Sequence, residues 1–381
     1  MIDLTLLDQV DWNFPGVGNS PNSVHGVHWF PGNFIAQIPS ALIQVLSKPG
    51  DVVFDPFSGS GTTAVEALRL NRNAIASDLM SPALVIAGAK IALANGLFER
   101  QHRRNLLAQL AFEHECETDQ IGAHGEGSDP LLSEWYSPQT LAQLRYLWSI
   151  VDQNENGVRQ VLLAIFSETL FECASTAGSQ TRTGKRRRHH WGWVADNVKP
   201  RIPVNHNAIS IFAHRLASLD LVESLETSCT TLLLRQDAKM LALGDSSIDL
   251  IVTSPPYAGV IDYAGAHRML YLWMGWPFLK ERTFEIGARY RRSRKNAVQE
   301  YLDEIIPVRD ELFRVLKPGG YCAMVIGASR KFPTVVGKFS DVFTQRMPIA
   351  WGPVSRTPSR RRVSDRSATD SLEFIFIFQK P

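Results

Sequence analysis

The sequence has few cysteines, no long apolar run and almost no net charge. Its four cysteines, Cys116, Cys173, Cys229 and Cys322, are scattered without any C-x-x-C spacing. This argues against a zinc site or a disulfide framework and fits a reducing compartment. No apolar run approaches the ~18 residues of a membrane-spanning helix. The N-terminus has no basic stretch and is not expected to be a signal peptide. We therefore expect a cytoplasmic protein that contacts no membrane and holds no metal.

The net charge of +2 over 381 residues excludes a polycation. The basic residues are clustered, however, in residues 176–207, 289–295 and 355–367, and clustering matters more than total charge for contact with nucleic acid. The chain shows no internal repeat and no acidic or Gln/Asn-rich tract. With 44% hydrophobic and 20% charged residues, it predicts a large globular domain or a domain that carries an insertion.

A glycine-rich turn follows the first apolar strand of the chain. Residues 52–54 predict a strand, residues 55–63 (DPFSGSGTT) a tight turn, and residues 62–70 a helix. Glycines let such a turn approach a ligand closely. No lysine follows Gly61, which disfavours a phosphate-binding loop, and Ala64 occupies the place of the third glycine in a G-x-G-x-x-G motif. Taken alone, the turn could also be purely structural.

Three acidic residues are predicted at the ends of successive strands. Asp55 ends the first strand, Asp78 ends a second strand at residues 74–78, and Asp237 follows a third at residues 232–234. Carboxyl ends of parallel strands form the ligand-binding edge of an α/β sheet. Three acids along one edge suit a cationic, adenosine-like cofactor, with one acid for an amine, one for a ribose and one for an adenine amine.

A second turn, Thr253-Ser-Pro-Pro-Tyr257, follows the apolar run 248–252. Two prolines end the predicted strand because they remove backbone donors and fix φ. The resulting rigid turn is expected to project Ser254 and Tyr257 outward. Hydroxyl and carbonyl oxygens with an aromatic ring could hold a flat ring that carries an exocyclic amine. The alternative is that the prolines merely terminate the strand.

The two turns together resemble a known family. Residues 55–63 look like motif I, and residues 253–257 like catalytic motif IV, of the amino-methyltransferases that use S-adenosylmethionine. The resemblance covers roughly residues 28–98 and 230–326, and residues 28–46 are similar to the family motif that helps to wall the cofactor pocket. It implies an α/β fold: a Rossmann-like, seven-stranded methyltransferase core with an inserted helical subdomain.

The resemblance also implies roles for individual residues. Residues 55–63 would cradle the methionine moiety, Asp78 would hold the ribose and Asp237 the adenine amine. The cofactor-binding residues are then Phe34, Asp55, Pro56, Phe57, Gly59, Gly61, Thr62, Thr63, Asp78 and Asp237. The catalytic residues are Ser254, Pro255, Pro256 and Tyr257.

Serine at the start of motif IV is the form usual in N4-cytosine members, whereas N6-adenine members more often have Asp or Asn. We therefore expect Ser254 Oγ and the Pro255 carbonyl to accept hydrogens from the N4 amine of a cytosine that is flipped out of double-stranded DNA and stacks on Tyr257. Adenine N6 is the alternative, with RNA third. A catalytically inactive module that binds cofactor and DNA also stays open. A partner restriction endonuclease is plausible from the family, and the oligomeric state is not predicted.

A long segment separates the two halves of the predicted core. We expect the core in residues 1–98 (cofactor-binding) and 230–381 (catalytic), interrupted by an inserted subdomain at 99–229 that recognises the target. Within it, residues 131–174 predict helices, whereas the polar residues 101–130 predict a loop. The family usually places its recognition insertion elsewhere, so a dimerisation or partner surface is an alternative role.

Basic and aromatic side chains are the predicted DNA contacts, because they can neutralise phosphates and stack on bases. These residues are Arg182, Lys185, Arg186, Arg187, Arg188, Trp191, Trp193, Arg291 and Arg292. Beyond motif IV, Asp262 and Tyr263 could shape a pocket for the base. His267 and Arg268 could share that role or simply begin a helix.

Overall fold

The computed structural model describes residues 2–16, 23–33, 35–116, 130–174, 191–329, 331–357 and 372–381. Within these ranges, seven strands form one sheet in the order β3-β2-β1-β4-β5-β7-β6. The strands are β1 (Val52–Asp55), β2 (Asn73–Asp78), β3 (Thr231–Arg235), β4 (Ile248–Thr253), β5 (Leu316–Gly327), β6 (Ile349–Arg356) and β7 (Glu373–Gln379).

The sheet is parallel from β3 through β5, and β7 is antiparallel to both β5 and β6. The strand order reverses direction between β1 and β4. In open α/β sheets, ligands bind at the carboxyl ends of the strands beside such a reversal. The predicted fold, a mostly parallel seven-stranded sheet with helices, is confirmed.

Alternate residues of the central strands pack into two separate cores. On β7, Phe376 and Phe378 face a cluster with the helices α13 (Ala297–Val315) and α14 (Val335–Thr344). Ile375 and Ile377 face a cluster with α1 (Gln37–Leu46) and the N-terminal segment. Side chains of a strand point alternately to opposite faces, so a strand buried on both sides is apolar throughout. The continuous apolar run 374–378 in the sequence therefore belongs to a strand that is buried on both faces.

The helices of the described chain cover both faces of the sheet and form the insertion. The core helices are α1 (Gln37–Leu46), α2 (Thr62–Arg69), α3 (Ser81–Ala94), α10 (Tyr263–Ala266), α11 (Arg268–Met274), α12 (Phe278–Thr283), α13 (Ala297–Val315) and α14 (Val335–Thr344). Those between β2 and β3 that follow α3 are α4 (Arg100–Cys116), α5 (Pro130–Ser133), α6 (Pro138–Asp152), α7 (Asn156–Cys173), α8 (Trp191–Ala195) and α9 (Ala208–Ser218). No helix in the described ranges is long and apolar enough to cross a membrane.

The inserted helices share one hydrophobic core with α3. Ala89 and Leu93 of α3 lie in the same buried cluster as side chains from α4, α6, α7 and α9. Charged groups are buried at this boundary as well: Lys90 of α3 is fully buried, and Glu168 of α7 is paired at 2.6 Å with Arg215 of α9. Burial lowers the pKa of Lys90 to about 7, and the nearby Glu168 opposes that shift.

Two elements differ from the sequence-based predictions. The expected loop at residues 101–130 begins instead with α4, in which Leu106 and Leu110 are buried at helical spacing. Most residues around these two leucines are polar or charged, so the helical spacing of apolar residues is not evident from the sequence. β6 was not predicted, because it is largely exposed on one side, contains Gly352-Pro353 and pairs with β7 through two irregularities.

Candidate active site

A cavity of about 810 Å³, measured with its open mouth, lies at the carboxyl ends of β1, β2, β3 and β4. Apolar walls alternate with acids and hydroxyls. Residues 56–60, 78–80, 236–238 and 284–286, together with Phe30, Gly32, Asn33, Ser254, Pro256 and Tyr263, line it.

The glycine-rich turn forms one wall of the cavity. Gly61 has a φ of +78°, a conformation that favours glycine, and a Cβ there would lie 3.0 Å from Ala87 Cα in α3. At Gly59, a Cβ would lie 2.9 Å from the ring of Phe30. The turn is therefore pressed between α3 and the N-terminal segment. Glycine is required here by close packing as well as by backbone conformation.

Asn33 connects the N-terminal segment to this turn. Its Oδ1 accepts hydrogen bonds from Ser60 Oγ at 3.1 Å and from Thr62 Oγ1 at 2.9 Å. With Phe30, it holds the segment before α1 across the cavity, which agrees with the expectation that residues 28–46 help to wall the pocket. Phe34 lies outside the described residues.

Asp78 is the acid best placed to meet a ligand. It lines the cavity, and its two carboxylate oxygens accept backbone N–H groups of Gly59 and Met80, each at 3.0 Å. Burial is the largest influence on this carboxyl and raises its pKa to about 6. Asp237 lines the same cavity and accepts the backbone N–H of Lys239 at 2.9 Å.

Asp55 occupies a different position from the one expected. Its side chain is 1% exposed and does not line the cavity. Instead, Asp55 Oδ1 accepts a hydrogen bond of 2.6 Å from Thr253 Oγ1, the hydroxyl at the start of the second turn. Burial raises the pKa of Asp55 to about 6. Asp55 therefore joins the ends of β1 and β4, and with them the two turns that the sequence singled out.

The Ser-Pro-Pro-Tyr turn contributes Ser254 and Pro256 to the cavity wall. Tyr301 of α13 donates a hydrogen bond of 3.0 Å to the Pro256 carbonyl and so anchors the turn from behind. The outward projection predicted for Tyr257 is not observed: its side chain is buried, and its hydroxyl lies 3.1 Å from Ser254 Oγ. A base cannot stack on the Tyr257 ring in this arrangement.

The structure thus brings together most of the predicted site. The predicted residues that line the cavity are Pro56, Phe57, Gly59, Asp78, Asp237, Ser254 and Pro256. The predicted residues that lie behind its wall are Asp55, Gly61, Thr62, Thr63, Pro255 and Tyr257. The latter shape the turns from beneath.

Phe284, Glu285 and Ile286 also line the cavity, although they are not among the predicted site residues. Glu285 accepts backbone N–H groups of Tyr263 and Ala264, at 3.2 and 2.6 Å. Burial raises its pKa to about 8. The segment has no motif and no periodic pattern, so only the way it folds back over the sheet edge reveals it.

The residues beyond motif IV have mixed roles. Tyr263 lines the cavity, as expected for a residue that shapes the site. Asp262 caps α10 and pairs with Arg282 at 2.5 Å. His267 is buried against Trp29, with ring centroids 4.9 Å apart, and Arg268 donates to two backbone carbonyls of α8. Of the two predicted roles, His267 and Arg268 therefore have the second: they lie at the beginning of helix α11.

The predicted nucleic-acid contacts divide into three groups. Arg182, Lys185, Arg186, Arg187 and Arg188 lie outside the described residues. Trp191 and Trp193 are half-buried on α8, which packs against α10 and α11. In the third group, Arg291 is paired with Glu304 at 2.7 Å, whereas Arg292 is exposed, with no carboxylate partner among the described residues.

The model of a DNA methylase family, N6_N4_Mtase, matches residues 7–87 and 248–381, which is more than half of the chain. The chain belongs to this family. It is an S-adenosylmethionine-dependent DNA amino-methyltransferase, as the paired motifs predicted. The gap between the two matched ranges contains the inserted helices.

Individual relatives are methyltransferases as well. The Type II methyltransferase M.MjaII of Methanocaldococcus jannaschii is 24% identical over 388 residues, which cover 80% of this chain and 72% of that protein. M.MvaI of Kocuria varians is 20% identical over 67% of this chain and 58% of that protein. M.PvuII of Proteus hauseri is 37% identical over 76 residues, or 20% of this chain and 22% of that protein.

Solved structures give a weaker likeness. A SAM-dependent methyltransferase from Methanosarcina mazei has a TM-score of 0.35 and 12% identity, covering 89% of this chain and 96% of that one. A TehB-like SAM-dependent methyltransferase from Corynebacterium glutamicum has a TM-score of 0.32 and 10% identity, covering 92% and 90%. At these scores, the fold assignment rests on the strand order and the family match.

The cavity fits S-adenosylmethionine. Its acids, Asp78, Asp237 and Glu285, suit hydroxyl and amine donors, and the glycine-rich turn leaves room that side chains would fill. Phe30, Phe57 and Phe284 supply apolar surface. When bound, the cofactor supplies an electrophilic methyl group. Within the described ranges, no group of three or more His, Cys, Asp or Glu side chains could hold a metal ion.

Proposed function

We propose that the enzyme transfers the methyl group to the exocyclic N4 amine of a cytosine in double-stranded DNA. The observation that carries the proposal is Ser254, a neutral hydroxyl in the wall of the cofactor cavity at the first variable position of motif IV. Serine is usual there in N4-cytosine members of the family. The N4 amine is a weak nucleophile because its lone pair is delocalised into the ring. Ser254 Oγ, an acceptor in the cavity wall, would localise that lone pair and orient it.

The target base would have to leave the duplex to reach Ser254, at a cost of a few kcal/mol. Tyr263 and the 284–286 segment line the cavity around Ser254 and support a pocket for such a base. The proposed cofactor contacts are Asp78 to the ribose and Asp237 to the adenine amine. A cytoplasmic location and a partner restriction endonuclease remain expectations.

The base and the atom can be identified together. Unmethylated genomic DNA is incubated with the protein and deuterated-methyl S-adenosylmethionine, digested to nucleosides and examined by mass spectrometry. Labelled N4-methylcytosine is the expected product. Labelled N6-methyladenine would show that the target is adenine. Label found only in a parallel RNA sample would show that the substrate is RNA. No label despite tight cofactor binding would favour an inactive cofactor- and DNA-binding module.

Cofactor affinity should depend on pH through Asp78. Only the ionised carboxylate accepts hydrogen bonds from both ribose hydroxyls, and burial raises the pKa of Asp78 to about 6. Affinity should therefore be full at pH 7 and fall as pH drops through 6, by about tenfold at pH 5, where about a tenth of the carboxyl is ionised. Isothermal titration of S-adenosylmethionine at pH 5, 6 and 7 measures this.

Two variants separate Asp78 from the other acids. Asp78→Asn should weaken binding at pH 7 and remove the dependence between pH 5 and 7. Glu285→Gln should retain it, because burial raises the pKa of Glu285 to about 8, above this window. A pH slope that survives in Asp78→Asn would assign the titration to another group.

We propose that DNA approaches across Arg292 and α8. Arg292 is exposed and lies next to Gly259, just beyond the motif IV turn, where a phosphate flanking the flipped base would pass. Trp191 and Trp193 on α8 could stack or fill the space left by the base. The basic residues 182–188 remain predicted contacts in the same interface.

Neighbouring arginines provide a matched test. Arg292→Ala should weaken DNA binding and reduce the slope of log K against log salt by about 1. Arg291→Ala should leave the slope unchanged and lower thermal stability instead, because Arg291 is held by Glu304. Fluorescence anisotropy measures DNA binding at several salt concentrations. If Arg292→Ala and wild type gave equal salt slopes, Arg292 would not contact DNA.

A further inference from the structure

Glu373 lies behind the catalytic turn although it is far away in the sequence. It is the first residue of β7, and β7 runs antiparallel to β5, so Glu373 pairs with Gly327 at the last position of that strand. The reversed direction brings the beginning of β7 to the edge of the sheet where the parallel strands end. A carboxyl group is thereby placed at the same edge as Ser254. The side chain of Glu373 is buried.

A continuous chain of hydrogen bonds joins the two residues. Ser254 Oγ donates to the Tyr257 hydroxyl at 3.1 Å, and the Tyr257 hydroxyl donates to Glu373 Oε1 at 3.3 Å. The other carboxylate oxygen of Glu373 is paired with Arg356, a buried residue of β6 that also donates to the Trp12 carbonyl at 2.9 Å. The chain thus ends in a carboxylate held by a fixed cation.

The direction of this chain follows from the number of protons. A hydroxyl carries one proton, and a carboxylate only accepts. The Tyr257 proton therefore points to Glu373, and the Tyr257 oxygen accepts the proton of Ser254. Among the described residues, a second acceptor within reach of Ser254 is the Val325 carbonyl at 3.1 Å. Whether Ser254 donates its proton to the Tyr257 hydroxyl or to the Val325 carbonyl, that proton points away from the cavity. The lone pairs of Ser254 Oγ are then available to a ligand in the cavity.

We propose that Glu373 is a positioning residue that acts through Tyr257: it keeps Ser254 an acceptor toward the target amine and takes up the proton which that amine releases. The inference rests on the proposed transfer to an exocyclic amine. The motif IV turn, residues 253–257, contains no acidic residue, and Glu373 supplies a carboxylate to it from β7. A neutral serine can accept a proton only if its own proton has somewhere to go, and this chain provides the path.

The step balances in atoms and charge. The amine nitrogen forms a bond to the methyl carbon while the carbon–sulfur bond breaks and its electron pair stays on sulfur. The nitrogen then carries a positive charge and passes one proton to Ser254 Oγ. The Ser254 proton moves to the Tyr257 oxygen, and the Tyr257 proton moves to Glu373. Serine and tyrosine end as they began, the methylated amine is neutral, and protonated Glu373 later releases its proton to solvent.

The test compares Tyr257→Phe, Glu373→Gln and the double variant in single-turnover methylation of unmethylated genomic DNA with labelled S-adenosylmethionine. Each single variant should slow the reaction about 10- to 100-fold. The double variant should be no slower than the slower single variant, because both changes break one path. The Kd for S-adenosylmethionine should stay within about twofold of wild type. A merely structural role would raise that Kd or give effects that multiply.

Several outcomes would overturn the inference. Glutamine keeps an acceptor for Tyr257 but takes up no proton, so a Glu373→Gln rate near wild type would mean that the proton leaves by another route. A wild-type rate in Tyr257→Phe, which removes only a hydroxyl and should fold, would do the same. Wild-type protein that labels no base at all would instead remove the proposed function. These two failures are therefore distinguishable.

Two further variants control for the buried ion pair. Glu373→Gln leaves Arg356 without its carboxylate, so Glu373→Gln/Arg356→Met, which removes both charges, should fold and show the same slow rate. A wild-type rate in that double variant would also contradict the proposal. Glu311→Gln breaks a more exposed ion pair, with Arg314 on α13 and away from the cavity, and should react at the wild-type rate.

Discussion

Ser254→Ala is expected to slow methyl transfer about 100- to 1,000-fold while leaving the Kd for S-adenosylmethionine within about twofold of wild type. The Ser254 hydroxyl lies in the cavity wall and bonds to the Tyr257 hydroxyl and to the Val325 carbonyl. Alanine removes an acceptor for the target amine and leaves the acids of the cofactor site unchanged. Single-turnover labelling measures the rate, and isothermal titration measures the affinity.

A serine at the opposite end of the same strand provides the control. Ser247 lies just before β4 and bonds locally to the Gly244 carbonyl at 2.7 Å. Ser247→Ala should leave both the rate and the affinity unchanged. If Ser254→Ala weakened cofactor binding as strongly as it slowed transfer, Ser254 would belong to the cofactor site and the chemistry would lie elsewhere.

Gly61→Val is expected to abolish measurable cofactor binding and to lower the free energy of unfolding by about 3–5 kcal/mol. The φ of +78° strains a branched residue, and the new Cβ would press on the backbone of α3 at Ala87, 3.0 Å away. Relief of that contact requires the turn to move into the cavity. Thermal unfolding and titration with S-adenosylmethionine measure the two effects.

A substitution at Gly50 measures the effect of backbone strain without the effect of close packing. Gly50 lies in the turn before β1 with a φ of +88°, and a Cβ there meets no atom within 4 Å. Gly50→Val should therefore cost only the strain, about 1–3 kcal/mol, and leave the Kd for S-adenosylmethionine unchanged. Equal loss of affinity in the two variants would mean that global destabilisation, and not the shape of the turn, controls cofactor binding.

Local sequence was sufficient to predict features that depend on neighbouring residues. The strand–turn–helix at residues 52–70 and the proline-terminated strand at 248–257 each carry their own geometry, so their place at one sheet edge could be deduced. The parallel order of the strands then brought Asp78, Asp237 and Ser254 into one cavity.

Features that depend on distant partners could not be deduced in this way. Tyr257 was expected to face outward, but Glu373, 116 residues later, holds its hydroxyl inside. Arg291 was expected to meet phosphate, and Glu304 on α13 pairs with it instead. Glu285 carried no signal at all, because its position depends on how the segment after α12 crosses the cavity.

The core that α3 shares with the inserted helices limits how the insertion of this chain could be exchanged. The same α3 that packs against α7 and lies opposite Glu168 through Lys90 also presses on the glycine-rich turn at Ala87. Replacing only the inserted helices with those of a relative would leave a buried lysine and an apolar face of α3 without their counterparts. A folded chimera should therefore need α3 together with the insertion, and that exchange would also replace the helix that presses on the glycine-rich turn.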